Sequence, residues 1–239
     1  MNRKPLLRKC CLFTTFSLLT FLFTTCGLYE YYYLPQVSQG NIIGYSDTSV
    51  SVVLPNIADE YYFANGYIIF YRIYLSNYDA PGSIITPDQR SSISSSLAAD
   101  FTFFSPYTDP TNNILVTSSR LFSDRGYYWL ELESGASVIN LLTSSGGSLS
   151  IQFTLDSSQL TINGNYYPIY RYTFIPGQNR SFSPLIDLNT DDGLNDLARL
   201  DTPSQFAYVS MYLIAEGDNI SNFTKVYSKP IHLNIFRLQ

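Results

Sequence analysis

Glu131 and Glu133 lie two apart in the stretch YYWLELE (127–133), with Trp129 two residues ahead of the first acid. On a strand all three share one face with Tyr127, and the rise per residue sets the two carboxyls about 7 Å apart. Paired acids at that order of separation can protonate a glycosidic oxygen and activate water, and an indole beside them can stack on a sugar. The same residues equally suit the wet face of an antiparallel sheet. Trp129, Glu131 and Glu133 are therefore the candidate ligand-binding residues for a glycan or a peptide, with a carbohydrate-active enzyme as the alternative.

His232, in PIHLNIF, is the single imidazole of the chain. Any Ser-His-Asp scheme would have to use it. Strand alternation places Ile231, Leu233 and Ile235 on one face and His232, Asn234 and Phe236 on the other. That predicts a solvent-side histidine, and without a Gly-x-Ser-x-Gly elbow no catalytic residue is assigned. Asp187, Asn189 and Asp191 offer hard oxygen ligands at alternate positions, as calcium loops do. Counted from Asp187, the sixth and twelfth places are Asp192 and Ala198, where an EF-hand has Gly and Glu. They are weak metal candidates, in competition with a polar turn leading into LNDLARL. No cofactor is implied.

The three cysteines are Cys10, Cys11 and Cys26. MNRKPLLRK is a basic opening, and CCLFTTFSLLTFLF is an apolar run of fourteen residues. A spanning helix needs roughly 20 apolar residues, so the run fits an export signal, a signal-anchor helix being the alternative. Phe23-Thr24-Thr25-Cys26-Gly27 resembles the lipobox that ends a bacterial lipoprotein signal, with Thr25 where Gly, Ala or Ser is usual and Phe23 where Leu is usual. The resemblance implies cleavage before Cys26 and acylation of that residue. Three acyl chains at about 0.8 kcal/mol per buried CH₂ would anchor the protein stably. Removal of residues 1–25 would also take away Cys10 and Cys11, leaving no pair for a disulfide and no second thiolate.

Charge excludes one class of partner. Arg3, Lys4, Arg8 and Lys9 precede every acid; the remainder carries ten bases against nineteen acids. No basic stripe is left to release counterions, which argues against nucleic acid. Charged residues are only 14% of the chain, while 21 tyrosines favour pleated, half-buried surfaces. These tyrosines either replace charge on the solvent faces of strands or build a contact surface.

The elements that must position these residues are mainly strands. SVSVVLP (49–55), GYIIFYRIYLS (66–76), YYWLELE (127–133), SLSIQFTL (148–155), YYPIYRYTF (166–174), FAYVSMYLIA (206–215) and PIHLNIFRL (230–238) are strand-like runs separated by turn signals. Asn163-Gly164 predicts a hairpin. Both faces of 66–76 are apolar, so this strand belongs in the middle of a sheet covered on both sides or under a helix. Thr86-Pro87-Asp88-Gln89 is a capping box that opens a helix over 87–101, with Ile93, Leu97 and Phe101 in its stripe and five serines between 91 and 96 weakening it. Ile114, Leu115, Ser118, Leu121 and Phe122 predict a second helix ending at Gly126. The expected architecture is an antiparallel β-sandwich over 49–239 with a two-helix insertion at 86–125. Ahead of it stand a signal helix (1–25) and a lipidated tether or edge strand (26–48), whose Tyr29, Tyr31, Tyr32 and Tyr33 could meet a membrane interface or begin a strand.

Three stretches resemble the fibronectin type III pattern: IIFYRIY (68–74) its central strand, AYVSMYLIAEG (207–217) its F strand with Val209, Met211, Leu213 and Ala215 inward, and YSKPIHLNIF (227–236) the start of its last strand, with Ser228 and Pro230 at a turn. Ala207 stands where the inward tyrosine of that F strand would be. Together with the signal, the chain resembles lipoproteins of treponeme-like spirochaetes, in which a YYRIY strand precedes an insertion with the pattern DxxxxxPYTDPTN, here Asp100 to Asn112. That resemblance implies a bacterial envelope location, anchored to the inner or outer membrane through acylated Cys26, and no activity. The expected function is a membrane-anchored, non-catalytic binding module for protein or glycan; the alternatives are the carbohydrate-active enzyme and a structural envelope component.

Overall fold

A computed structural model describes residues 34–46, 48–54, 62–80, 85–108, 124–130, 149–156, 159–162, 165–171, 180–183, 187–188, 204–219 and 223–238. The export segment, Cys26, the tyrosines of 29–33, the stripe 114–122, Glu131, Glu133, Asn189 and Asp191 lie outside these residues.

A short 3-10 turn (Gln39–Asn41) leads into β1 (Ile42–Tyr45), β2 (Ser49–Leu54) and β3 (Ala64–Ser76). Helices α1 (Pro87–Ile93) and α2 (Ser95–Thr108) follow, then β4 (Tyr128–Trp129), β5 (Leu149–Asp156), β6 (Gln159–Ile162), β7 (Asn165–Pro168), β8 (Tyr170–Arg171), β9 (Arg180–Ser181), β10 (Phe206–Asn219), β11 (Thr224–Tyr227) and β12 (Ile231–Arg237). The molecule is mainly β, and its sheets are antiparallel. One sheet runs β1-β2-β5-β6-β7. The second runs β4-β3-β10, with β11 and β12 sharing the far edge of β10, and β8-β9 form a small ribbon. β6 and β7 pair with Ile162 opposite Asn165, the hairpin that Asn163-Gly164 predicts.

Strand alternation builds the sandwich. Val50, Val52 and Leu54 of β2, with Leu160 and Ile162 of β6, pack against Ile69, Tyr71 and Ile73 of β3 and Val209, Met211, Leu213 and Ala215 of β10. Non-directional apolar burial of this kind is the main favourable term in the fold, and truncating one such Leu to Ala costs about 2–5 kcal/mol. The buried Tyr71 hydroxyl is not stranded there: it donates to the Tyr170 carbonyl at 3.0 Å and accepts from the Tyr170 N–H at 2.9 Å.

The opposite face of β3 and β10 is also covered. Ile68, Phe70, Tyr212 and Ile214 meet Phe104 and Tyr127, and Tyr74, Tyr208 and Ile235 meet Ile93 and Leu97. This double burial is what the two apolar faces of 66–76 demand. The helix expected as one unit over 87–101 is two. Thr86 caps α1 by accepting from the Gln89 N–H, but Ser94 is extended at φ −163°, ψ 134° and breaks the rod. Ser91 and Ser92 donate back to Pro87 O and Asp88 O, and Ser94 Oγ accepts from the Ser96 N–H, so the serines compete with the helical backbone bonds. Past the break the buried stripe reads Leu97, Asp100, Phe104.

The alternation expected along β12 changes frame. Met211 pairs with Asn234 and Tyr212 with His232, so the register shift leaves Leu233 without a partner. Such a bulge flips every later side chain to the other face. Ile231, Leu233, Phe236 and Leu238 enter the inter-sheet core, while Ile235 joins the helix side. His232 also faces the helices, where its ring meets Phe101 edge-on at 5.3 Å. The expected solvent-side histidine is therefore corrected: helix α2 covers the face on which it stands.

Candidate functional site

Among the described residues, the largest constellation of chemically capable side chains lies between α2 and the β3–β10 face. Arg72 interrupts the apolar face of β3, and Asp100 interrupts the apolar stripe of α2. Arg72 Nη1 donates to Asp100 Oδ2 at 2.6 Å and to the Arg125 carbonyl at 2.8 Å, and Arg125 Nη2 stands 2.5 Å from Asp100 Oδ1. Burial alone disfavours the Arg72 charge, but Tyr74 and Asp100 beside it outweigh that and hold its pKa above the ordinary value. Gly126, at φ +75°, closes the turn after Arg125, and its bare Cα lies beside the Arg72 guanidinium.

A line of polar contacts runs inward from Asp100. The Tyr74 hydroxyl donates to Asp100 Oδ2 at 2.7 Å and lies 3.0 Å from the Tyr127 hydroxyl. Tyr127 donates to Ser210 Oγ at 3.3 Å, and Ser210 Oγ lies 3.3 Å from His232 Nε2. Burial pushes both tyrosine hydroxyls well above their ordinary pKa, so they stay neutral. Burial, with Arg90 adding repulsion, pushes His232 down to about 3. The imidazole is neutral, and it is packed between Phe101 and Tyr212 rings at 5.3 and 4.9 Å. The Ser210–His232 contact pairs a nucleophile type with a base type, yet Ser210 is buried against the helix layer. Its geometry is that of a satisfied internal network.

The Asp100 end of this line opens on a cleft of about 440 Å³, lined by Arg72, Ser96, Ala99, Asp100, Asp124, Arg125 and Gly126. Arg125 also lies over the Phe103 ring at 4.9 Å, which fixes its approach.

The residues singled out from sequence fall elsewhere. Trp129 sits on the edge strand β4 opposite Phe70, with 39% of its surface exposed. It shares a face with Tyr127, but that face is closed by Phe104 at Tyr127 and open at Trp129. Glu131 and Glu133, beyond it, lie outside the described residues. Asp187 is fully buried, and its carboxylate is committed to arginine. Arg171 Nη1 approaches Oδ1 at 2.5 Å, Arg180 Nη1 approaches Oδ2 at 3.1 Å and Nη2 pairs with Oδ1, while the Ser183 N–H also donates to Oδ2. No group of three or more His, Cys, Asp or Glu that could hold a metal occurs among the described residues. The Arg72–Asp100 pair was missed from sequence, although a signal existed: one charge of each sign inside two otherwise apolar patterns.

No family model, curated protein or solved structure matches this chain.

Proposed function

We propose that this protein is a lipid-anchored envelope protein whose sandwich acts as a non-catalytic interaction module. The observation that carries this is a division of labour among its polar and aromatic groups. Asp100, Arg72 and Tyr74 are bonded to one another beneath α2 and Asp187 is bonded to Arg171 and Arg180, whereas exposed rings stand on sheet edges, Trp129 on β4 and Tyr166, 68% exposed, on β7. Amphipathic rings on rigid strands give contact area at little entropic cost. Binding of the full-length chain to a glycan and matrix-protein array, weakened by Trp129→Ala or Tyr166→Ala, is the expected result. Equal binding by both variants and the parent, or none above a scrambled-surface control, would remove the module reading.

The address rests on Cys26 and the lipobox resemblance. Metabolic labelling with an acyl-chain analogue should mark the parent and not Cys26→Ala; equal labelling would sink it. The half-exposed indole of Trp129 also favours a second reading, contact with a glycan through Trp129, Glu131 and Glu133. Turnover of a glycan that survives both Glu131→Gln and Glu133→Gln would exclude those acids as its catalysts.

A further inference from the structure

Two exposed aromatic rings share the end of the sandwich towards which the chain, followed backwards from Ser46 to Gln36, runs. Phe223, in the connection from β10 to β11, is 93% exposed and sits at φ +57°, a left-handed conformation that a bulky residue rarely holds. Tyr62, 72% exposed, packs edge-on against Phe63 at 5.7 Å. The two segments are tied together: the Asp218 N–H donates to the Phe63 carbonyl at 2.9 Å, and Asn219 pairs with Thr224 next to Phe223. Gly217 permits this docking, since a Cβ there would stand 2.5 Å from Phe63 O. The charges nearby are mutually compensated, Lys225 lying 2.9 Å from Glu216 and 2.8 Å from Asp218.

The path of the incoming chain is fixed by two bonds to the last strand. Ser46 O accepts from Asn234 Nδ2 at 2.8 Å, and Gln36 Nε2 donates to Pro230 O at 3.0 Å. Followed backwards from 46 to 36, the chain therefore runs from Asn234 to Pro230, towards β11 and Phe223. Leu34, two residues further back, is buried in the core. Eight residue steps separate Leu34 from Cys26, a reach of at most about 28 Å. Four of the residues in between are tyrosines, and aromatic rings are favoured at the lipid–water boundary.

We infer that Phe223 and Tyr62 form a membrane-facing tip that seats in the headgroup region of a phospholipid bilayer and sets the orientation of the sandwich. This rests on the anchoring of Cys26. Exposure of a strained Phe is then a lipid contact, and the tip and the acyl chains act as two linked attachments.

The test uses the full-length acylated protein in phosphatidylcholine vesicles, whose lack of net charge isolates the aromatic contribution. Trp129 lies opposite Phe70, six residues along β3 from Ala64 at the tip end, and is the natural distant reporter. In the variant Trp129→Phe/Phe223→Trp, brominated acyl chains should remove most of the tryptophan emission and shift the remainder to the blue. The parent, reporting from Trp129, should keep its emission. Trp129→Phe/Tyr62→Trp reads the same end should the first variant fail to fold. Vesicle flotation reports the anchor and quenching reports the tip. Protein that floats but whose tip tryptophan stays as bright in brominated as in ordinary lipid overturns the tip alone. Protein that never floats overturns the anchor, and the tip with it.

Discussion

Asp100 and Asp187 are each gripped by a pair of arginines, yet their surroundings differ. Asp187 and one of its arginines are sealed: its carboxylate and the Arg171 side chain have no exposed surface, while Arg180, opposite Arg171 across the β8–β9 ribbon, keeps 32% of its side chain exposed. Asp100 is as buried as Asp187, but neither of its arginines is sealed: the side chains of Arg72 and Arg125 keep 19% and 34% of their surface at the cleft. The count of charges is the same in the two clusters. What differs is where the guanidinium groups could turn if the carboxylate were lost. Solvent can rehydrate Arg72 and Arg125 through the cleft. It cannot reach Arg171 without opening the ribbon. A buried ion pair is poor evidence of net stabilisation, but breaking one side of it strands the other, and the cost follows the burial of the group left behind.

The comparison is broken most directly by removing each carboxylate in turn. Asp187→Asn should destabilise the protein by about 3–5 kcal/mol, the range for removing one partner of a buried ion pair. Asp100→Asn should cost less, about 1.5–3 kcal/mol, the worth of its charge-assisted hydrogen bonds. Urea unfolding at pH 7 measures both. Equal costs, or a larger one for Asp100, would show that solvent access to the arginines does not decide the matter.

His232 sharpens the same contrast at the far end of the Asp100 line. Its folded pKa of about 3 lies below the ordinary 6.5, so the unfolded chain binds the proton first as pH falls. The stability that His232 permits is whole above pH 6.5 and is lost progressively as pH drops towards 3. One proton corresponds to about 1.4 kcal/mol per pH unit, or roughly 2 kcal/mol between pH 6.5 and 5. The groups packed around the ring are Ser210, Tyr212, Phe101 and Arg90, none of which changes charge in that window. His232→Phe keeps an aromatic ring against Phe101 and Tyr212 and should flatten the dependence of the urea midpoint on pH over that range. An unchanged slope would place the titrating group elsewhere.

Much of the framework was legible because strands carry their own period. The double apolar faces of 66–76 demanded cover on both sides, and β3 has it. The inward set Val209, Met211, Leu213 and Ala215 follows from simple alternation. Two features were not legible, for one physical reason: each depends on a partner outside the local residue pattern. The bulge at Leu233 is set by register with β10, so simple alternation gave Ile235 and Phe236 each other's faces, and His232 was put in water because the strand pattern does not show that helix α2 covers its face. Asp187 looked like an oxygen ligand because its neighbours are spaced like one, whereas its actual partners are Arg171 and Arg180. Arg72 and Asp100 fall between these cases. Each was visible as a charge out of place, and opposite charges out of place in two elements are a reason to expect them to meet.

The smallest effect expected is at Gly126, and it tests whether the open cluster owes its form to the turn or to the ion pairs. At φ +75° a side chain costs about 1–2 kcal/mol. Space is not the obstacle, because a Cβ there would lie 3.5 Å from Arg72 Cζ and Nε, an ordinary contact. Gly126→Ala should therefore lose about 1 kcal/mol through backbone strain alone, with the Arg72–Asp100 bond kept. The double variant Gly126→Ala/Asp100→Asn then separates two accounts. If the turn positions Arg125 independently of Asp100, the two costs add to within about 0.5 kcal/mol. A double variant much less damaged than the sum would mean that the strained turn is held in place by Asp100 itself. The open cluster would then be as dependent on its carboxylate as the sealed one is, and solvent access would account for less of the difference between them.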